Sequence, residues 1–130
     1  MQRRVMLVLG MFILVSIMAA GCSGGGADAA SVTKAYMQAL VDKNENTISD
    51  LSCADWEAQA KLEVESLQSV KAELKDVSCK VSGTDGDKTL VSCQGSIQFT
   101  YTNESQQLDL SQRTYEMVKE GGEWRVCGYH

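Results

Sequence analysis

The spacing of the apolar residues changes once along this sequence, and the change restricts the folds that the chain can adopt. Between residues 31 and 67, apolar side chains recur every three or four residues, as in an amphipathic helix. From Asp76 onward they recur every second residue, which is typical of strands with one buried face. The helical positions are Val32, Tyr36, Ala39 and Leu40, then Trp56, Ala60, Val64 and Leu67.

Local signals place the starts of the predicted helices. Asp28 or Ser31 is suited to cap the first helix, since short polar side chains accept hydrogen bonds from free backbone N–H groups. A short helical turn is predicted over Thr47–Leu51. The segment Ser52–Asp55 (SCAD) has the form of a capping box before Trp56.

Four strands are predicted after the helices. In the third, the apolar face changes parity between Leu110 and Tyr115, which predicts a bulge. The segment between Leu67 and Asp76 fits a helix and a strand equally well. Turn signals at residues 83–88 (GTDGDK), 103–105 and 120–123 separate the strands. The strands are residues 77–81, Thr89–Tyr101, Leu108–Lys119 and Trp124–Tyr129.

This order of elements predicts an α+β fold, with N-terminal helices packed on a curved antiparallel sheet of about four strands. A chain of 130 residues has room for one such domain, which we assign to residues 31–130. Residues 1–21 are predicted to be a signal peptide. Residues 22–30 are predicted to be a lipidated cysteine followed by a flexible, glycine-rich tether.

The signal peptide is indicated by the first residues of the chain. Arg3 and Arg4 precede an uncharged run, residues 5–20, which ends in Ala19-Ala20-Gly21-Cys22. This ending resembles the lipobox of bacterial lipoproteins, with Ala19 where leucine is commonest. The resemblance implies that Cys22 is lipidated and becomes the mature N-terminus, with palmitate among its acyl chains. The alternative is an uncleaved membrane helix, for which a run of about 17 residues is at the lower limit.

Charge and histidine content exclude several functions. The precursor carries a formal charge of −5, which becomes −7 without Arg3 and Arg4, and no basic cluster follows residue 4. Nucleic acid is therefore not an expected partner. The one histidine, His130, argues against a His-rich metal site or a Ser-His-Asp triad. We predict no catalytic residue, no metal ligand and no cofactor.

Four cysteines remain besides Cys22. An even number of cysteines in an exported chain indicates disulfides, here two. A hairpin centred on Gly86 places Cys79 opposite Cys93, on one face of the sheet. Cys53 and Cys127 are then left to pair, which ties the helices to the last strand. The alternative of a metal or redox site is disfavoured, because the spacing contains no CxxC motif and no histidine partner.

The N-terminal helix with YMQALVDKN (36–44), the long final hairpin and the closing GGEWRVCGYH (121–130) resemble the cystatin-like cone of the nuclear transport factor 2-like superfamily. Many small secreted bacterial lipoproteins of unknown function look similar. The resemblance implies a pocket between helices and sheet. Six aromatic residues are expected to line it or to fill the core in its place: Tyr36, Trp56, Phe99, Tyr101, Tyr115 and Trp124.

Charged side chains on the later strands give few signs of chemistry. Asp109 and Glu116 are expected to be solvated, although either could face inward. Arg113 and Arg125 are expected to pair with these two acids at the surface, or else to hold an anion. No acid stands out as a catalytic group.

These patterns together predict an extracytoplasmic lipoprotein, held in the cell membrane or outer membrane by its N-terminal lipid. We expect a non-enzymatic binding or interaction module whose partner is an envelope protein or a small ligand. The alternative is a small cone-fold enzyme, isomerase- or hydrolase-like, that uses a pocket carboxylate. A third hypothesis, which follows from the resemblance, is a homodimer formed through the outer face of the sheet.

Overall fold

The computed structural model describes residues 27–130, so the predicted signal peptide, the predicted lipidation site Cys22 and most of the predicted tether lie outside the described residues. Three helices pack on an antiparallel sheet of five strands, which confirms the predicted α+β class. The helices are α1 (Ala29–Val41), α2 (Glu45–Leu51) and α3 (Glu57–Ser66). The strands are β1 (Lys71–Asp85), β2 (Lys88–Tyr101), β3 (Glu104–Asp109), β4 (Thr114–Glu120) and β5 (Glu123–Tyr129).

Helix α1 begins where a side chain can satisfy its first backbone donors. The carboxylate of Asp28 accepts a hydrogen bond from the backbone N–H of Ser31 at 2.8 Å, which confirms Asp28 as the cap. Asn44 caps α2 in the same way, through the N–H of Thr47 at 3.1 Å. The predicted apolar stripe of α1 is buried along its whole length.

The capping box predicted over Ser52–Asp55 is wrong. Helix α3 begins after Trp56, which makes no side-chain capping hydrogen bond. The Ser52 hydroxyl donates instead to the carbonyl of Ile48 at 2.7 Å, and the N–H of Cys53 donates to the carbonyl of Val126 at 2.8 Å. This segment is held against β5, so its side chains are not free to cap α3.

Strand β2 is the centre of the sheet. It pairs with β1 along one edge, and its other edge is shared by β4, opposite residues 89–92, and β3, opposite residues 96–101. β5 pairs with β4 alone among the strands, which gives the order β1-β2-β4-β5 with β3 beside the second half of β2. Among residues 27–130, no helix is long and apolar enough to cross a membrane.

The predicted single strand Leu108–Lys119 is two strands, which is why the sheet has five strands and not four. A short 3₁₀ helix, Leu110–Gln112, separates β3 from β4. Its first turn is capped by Asp109, whose carboxylate accepts a hydrogen bond from the N–H of Ser111 at 2.9 Å. β3 and β4 pair with β2 in registers that differ by one residue. The predicted change in the parity of the buried face is therefore present, and the 3₁₀ turn produces it.

The boundary between helix and strand, which the sequence left open between Leu67 and Asp76, lies at the beginning of that segment. Helix α3 ends at Ser66 and β1 begins at Lys71. Ala72 and Leu74 therefore belong to a strand, where both are partly buried against the core.

Both predicted cysteine pairs are at disulfide distance. The Cα atoms are 4.1 Å apart in Cys79–Cys93 and 5.1 Å apart in Cys53–Cys127. The hairpin turn is centred half a residue beyond Gly86, since Asp85 pairs with Lys88. One unpaired residue in β1, Ser82, restores the register that places Cys79 opposite Cys93.

A second irregularity in β1 requires a glycine in its partner strand. The residues between Lys75 and Ser78 oppose the single residue Gly95, and Asp76 has a φ of 51°. Gly95 itself has a φ of 96°, and a Cβ atom there would lie 2.5 Å from the carbonyl oxygens of Lys75 and Asp76. Only glycine fits this close approach of two backbones.

Replacing Gly95 is therefore expected to destabilise the sheet. Gly95→Ala should lower the free energy of unfolding by about 2–4 kcal/mol, because the backbone must shift or the bulge must open. Gly83→Ala is the matched control in β1, since its Cβ meets nothing within 4 Å, and should change the value by less than about 0.5 kcal/mol. Urea unfolding followed by circular dichroism measures both. Equal effects of the two substitutions would contradict the role given to Gly95.

Candidate functional site

A cleft of about 400 Å³ opens between the end of α3 and the second half of the sheet. Its walls come from α1, α3, β2, β3 and β5. Arg113, directly after the 3₁₀ helix Leu110–Gln112, also lines it. The floor is mainly apolar, and the polar groups lie towards one side. The lining residues are Leu40, Glu63, Ser66, Leu67, Ile97, Phe99, Tyr101, Gln106, Gln107, Leu108, Arg113 and Tyr129.

Glu63 is the carboxylate of this cleft, and two tyrosine hydroxyls hold it. The Tyr129 hydroxyl donates to its Oε1 at 2.6 Å and the Tyr36 hydroxyl donates to its Oε2 at 3.4 Å. The Trp56 indole N–H in turn donates to the Tyr36 oxygen at 3.1 Å. These hydrogen bonds join α3, α1 and β5 and fix the position of the carboxylate.

Arg113 is the cation of the cleft, and it contacts the ring of Tyr129, whose hydroxyl is bound to Glu63. Its guanidinium carbon is 4.1 Å from the centroid of the Tyr129 ring, which is a cation–π contact. The backbone N–H of Arg113 donates to the carbonyl of Leu110 at 3.1 Å, so the 3₁₀ turn positions it. Among residues 27–130, no carboxylate lies within 4.0 Å of this guanidinium.

Burial keeps three tyrosines protonated, one that lines the cleft and two in the core next to it. Burial raises the pKa of Tyr129 to about 12, and the hydrogen bond to Glu63 acts in the same direction. Burial, followed by the charge of Glu63, also raises the pKa of Tyr36. Burial raises the pKa of Tyr115, against the opposing effect of the Arg113 charge. At neutral pH, all three hydroxyls therefore remain hydrogen-bond donors.

The six aromatic residues expected at a pocket divide into different roles. Phe99 and Tyr101 are among the residues that line the cleft. Tyr36 and Tyr115 are each 1% exposed and belong to the core. Trp56 is half-buried and packs edge-on against Tyr129, with ring centroids 5.6 Å apart. Trp124 is half-buried away from the cleft, with the Lys119 ammonium 5.0 Å from its ring.

The charged residues considered on the later strands do not enter the cleft, apart from Arg113. Asp109 is exposed and caps the 3₁₀ turn. Glu116 forms an ion pair with Lys88, and the Nδ1 atom of His130 lies 3.3 Å from its Oε1. Arg125 pairs with Glu123 at 2.8 Å. Arg125 is thus paired at the surface, but with Glu123 and not with Asp109 or Glu116, and the pairing expected for Arg113 is not found among residues 27–130.

Glu63 and Tyr129 were not among the residues singled out from the sequence. A signal for Glu63 was present, because it follows Trp56 by seven residues and precedes Leu67 by four, and so lies on the apolar stripe of α3. An acid on an apolar stripe indicates a partly buried carboxylate with partners. Tyr129 had no comparable signal, because its partners come from distant parts of the chain. Among residues 27–130, no three His, Cys, Asp or Glu side chains are grouped for a metal ion.

Solved structures share this fold at low sequence identity. The solution structure of a SEC-C motif containing protein from Rhodopseudomonas palustris has 11% identity and a TM-score of 0.52, over 78% of each chain. The crystal structure of a helical cell shape determining protein from Campylobacter jejuni has 9% identity and a TM-score of 0.51. That alignment covers 77% of this chain and 38% of the other.

These similarities concern the fold alone. A third structure, whose name includes NTF2, has 12% identity and a TM-score of 0.48, over 77% of this chain and 94% of the other, which is too low for an argument. No protein-family model matches the sequence, and no curated protein is similar to it. Helices packed on an antiparallel sheet are therefore common to this chain and its structural neighbours, and the cleft must be interpreted from its own residues.

The raised pKa of Tyr129 leads to a prediction for alkaline pH. Below pH 10 the folded and unfolded chains both keep this proton, so its contribution to stability is fully present. Between pH 10 and about 12 the unfolded chain releases the proton first, and stability falls. In Tyr129→Phe this fall should be smaller by about 1–2 kcal/mol, allowing for solvent screening of a half-buried group.

Urea unfolding of both proteins at pH 8 and pH 11.5 measures the difference. The free energies of unfolding at pH 8 serve as the control. At that pH the tyrosine does not titrate, so the two proteins differ only by the loss of the hydroxyl and its hydrogen bond to Glu63. If the two proteins lose the same free energy between the two pH values, the assignment of the raised pKa to Tyr129 is wrong.

Proposed function

We propose that this chain is an extracytoplasmic lipoprotein, anchored through Cys22, whose domain is a binding module of the nuclear transport factor 2-like type. The basic start, apolar run and Ala-Ala-Gly-Cys ending support the anchor. Two disulfides in so small a domain also support an oxidising compartment outside the cytosol. Helix α1 begins at Ala29, so a tether of six residues, 23–28, separates it from the proposed lipid site.

Lipidation at Cys22 is tested by metabolic labelling of bacterial cells with a palmitate analogue. The wild-type chain should carry the label and Cys22→Ala should lose it, because the thiol is the acceptor of the first acyl chain. Cys93→Ala serves as the control and should stay labelled, since that cysteine is paired within the domain. Labelling that survives in Cys22→Ala would overturn the proposed anchor.

The observation that carries the binding function is the cleft itself. Its volume of about 400 Å³ lies within the range of about 300–1,000 Å³ that is typical of ligand pockets. Apolar side chains from β2 and β3 face polar groups from α3 and β5 across it, and such a mixed lining is usual in sites that bind small molecules. The bound partner is accordingly a small ligand rather than a large protein surface.

A neutral naphthalene dye, Prodan, provides a probe of the cleft that does not depend on charge. We expect saturable binding to the wild-type domain with a blue shift of the dye's emission. Gln106→Trp should weaken this binding at least tenfold, because Gln106 is an exposed residue that lines the cleft and the larger side chain fills it. Ser105→Trp is the matched control, since adjacent strand residues point to opposite faces.

Two results of the dye experiment would contradict the binding function. One is the absence of saturable binding to the wild-type domain. The other is an equal effect of Gln106→Trp and Ser105→Trp, which would place the dye elsewhere on the surface.

The enzymatic alternative rests on Glu63, the carboxylate among the lining residues. We rank it second, because both Glu63 oxygens already accept hydrogen bonds from tyrosine hydroxyls. A pocket base would instead need an oxygen directed at the substrate. The homodimer through the outer face of the sheet stays a prediction. That face is polar on β1 and β2, where it carries Glu73, Lys75, Gln94, Gln98 and Thr100.

A further inference from the structure

We propose that the cleft binds an amphipathic monocarboxylate, a small molecule with one carboxylate and an apolar chain, and that Arg113 holds the carboxylate. The inference rests on the proposed binding function and adds the chemical class of the ligand. It follows from the charges of the cleft, the position of the guanidinium and the apolar floor.

Only two charged side chains are among the lining residues of the cleft, Glu63 and Arg113. The charge of Glu63 is engaged by the hydroxyls of Tyr129 and Tyr36. The charge of Arg113 has no carboxylate partner among residues 27–130 within ion-pair distance. The cleft therefore offers one unneutralised cation, and the complementary ligand group is an anion.

The position and chemistry of the Arg113 guanidinium favour a carboxylate. Its guanidinium carbon lies over the Tyr129 ring, 4.1 Å from the centroid. The N–H groups of this guanidinium have the Tyr115 hydroxyl as a neighbour, and no carboxylate among residues 27–130 lies within ion-pair distance of them. Those N–H groups form the fork that a carboxylate accepts with two parallel hydrogen bonds. The partly buried position strengthens such a pair relative to one at the open surface.

The remainder of the cleft suits an apolar chain. Ile97, Phe99 and Leu108 lie side by side on one face of β2 and β3, and Leu67 faces them from the end of α3. Each methylene removed from water tightens binding by up to about fourfold. A ligand with its carboxylate at Arg113 and its chain on this floor satisfies both parts of the lining. A cationic ligand is disfavoured, because Arg113 would repel it and Glu63 is already engaged.

Isothermal titration of the intact domain, residues 27–130, with sodium octanoate and with 1-octanol tests the proposal. The two ligands have the same chain length and differ in charge. Wild type should bind octanoate more tightly than octanol, and hexanoate about tenfold more weakly than octanoate. Arg113→Gln should weaken octanoate binding by about 10- to 100-fold and octanol binding by less than about threefold, because octanol loses only contact with the side chain. Arg113→Lys should lie between, since an ammonium keeps the charge without the fork.

Arg125→Gln is the matched control and should leave octanoate affinity unchanged, because Arg125 is paired with Glu123 and is not among the residues that line the cleft. Prodan binding to Arg113→Gln shows whether the cleft remains intact in that variant. If octanol and Prodan bind but octanoate affinity does not depend on Arg113, the carboxylate inference fails and the binding function stands. If none of the three probes binds the wild-type domain, the proposed binding function fails as well. Tighter binding of octyltrimethylammonium than of octanoate would also overturn the inference.

Discussion

The fold depends on the pairing of β2, because every other strand either pairs with β2 or reaches it through β4. Its 14 residues have one continuous partner, β1, and two successive partners on the other edge. The change from β4 to β3 along that edge takes place at the 3₁₀ turn. Since β5 extends beside β4 only, the outer edge of β3 has no neighbouring strand among the described residues. The cleft lies beside this unpaired part of the sheet, and α3 forms one of its walls.

Most of this architecture was predictable because it depends on local periodicity. Two elements with one buried face each were predicted in this way, and both are present. They are the helix over the apolar stripe from Val32 to Leu40 and the strand over the alternating residues from Thr89 to Tyr101. The turn near Gly86 was predicted half a residue from its true centre. Cys79 nevertheless faces Cys93, because the unpaired residue in β1 compensates for the difference. The pairing was thus correct for a reason that no periodicity reveals.

The candidate site was harder to predict, because its groups meet only through tertiary packing. Arg113 follows a turn whose form depends on how two strands share one edge of β2. Glu63 lies on the apolar stripe of α3, but its two tyrosine partners are 27 and 66 residues away in the sequence. The sequence left open whether each aromatic residue lines a pocket or fills the core, and Phe99 and Tyr101 lie at the cleft whereas Tyr36 and Tyr115 are in the core. Composition alone does not distinguish an aromatic side chain of a core from one of a cleft.

The Cys53–Cys127 bond has a consequence beyond the stability of the domain. Cys53 lies just before α3, and Cys127 lies two residues before Tyr129, so this bond joins the element that carries Glu63 to the strand that carries its hydroxyl partner. With both thiols reduced, the two walls of the cleft are connected at this point only by non-covalent contacts. A newly made chain in a reducing compartment would therefore hold the two walls together by packing and hydrogen bonds alone. Oxidation adds the covalent link between them, so the cleft of the proposed binding function reaches its fully cross-linked form only where this disulfide can form.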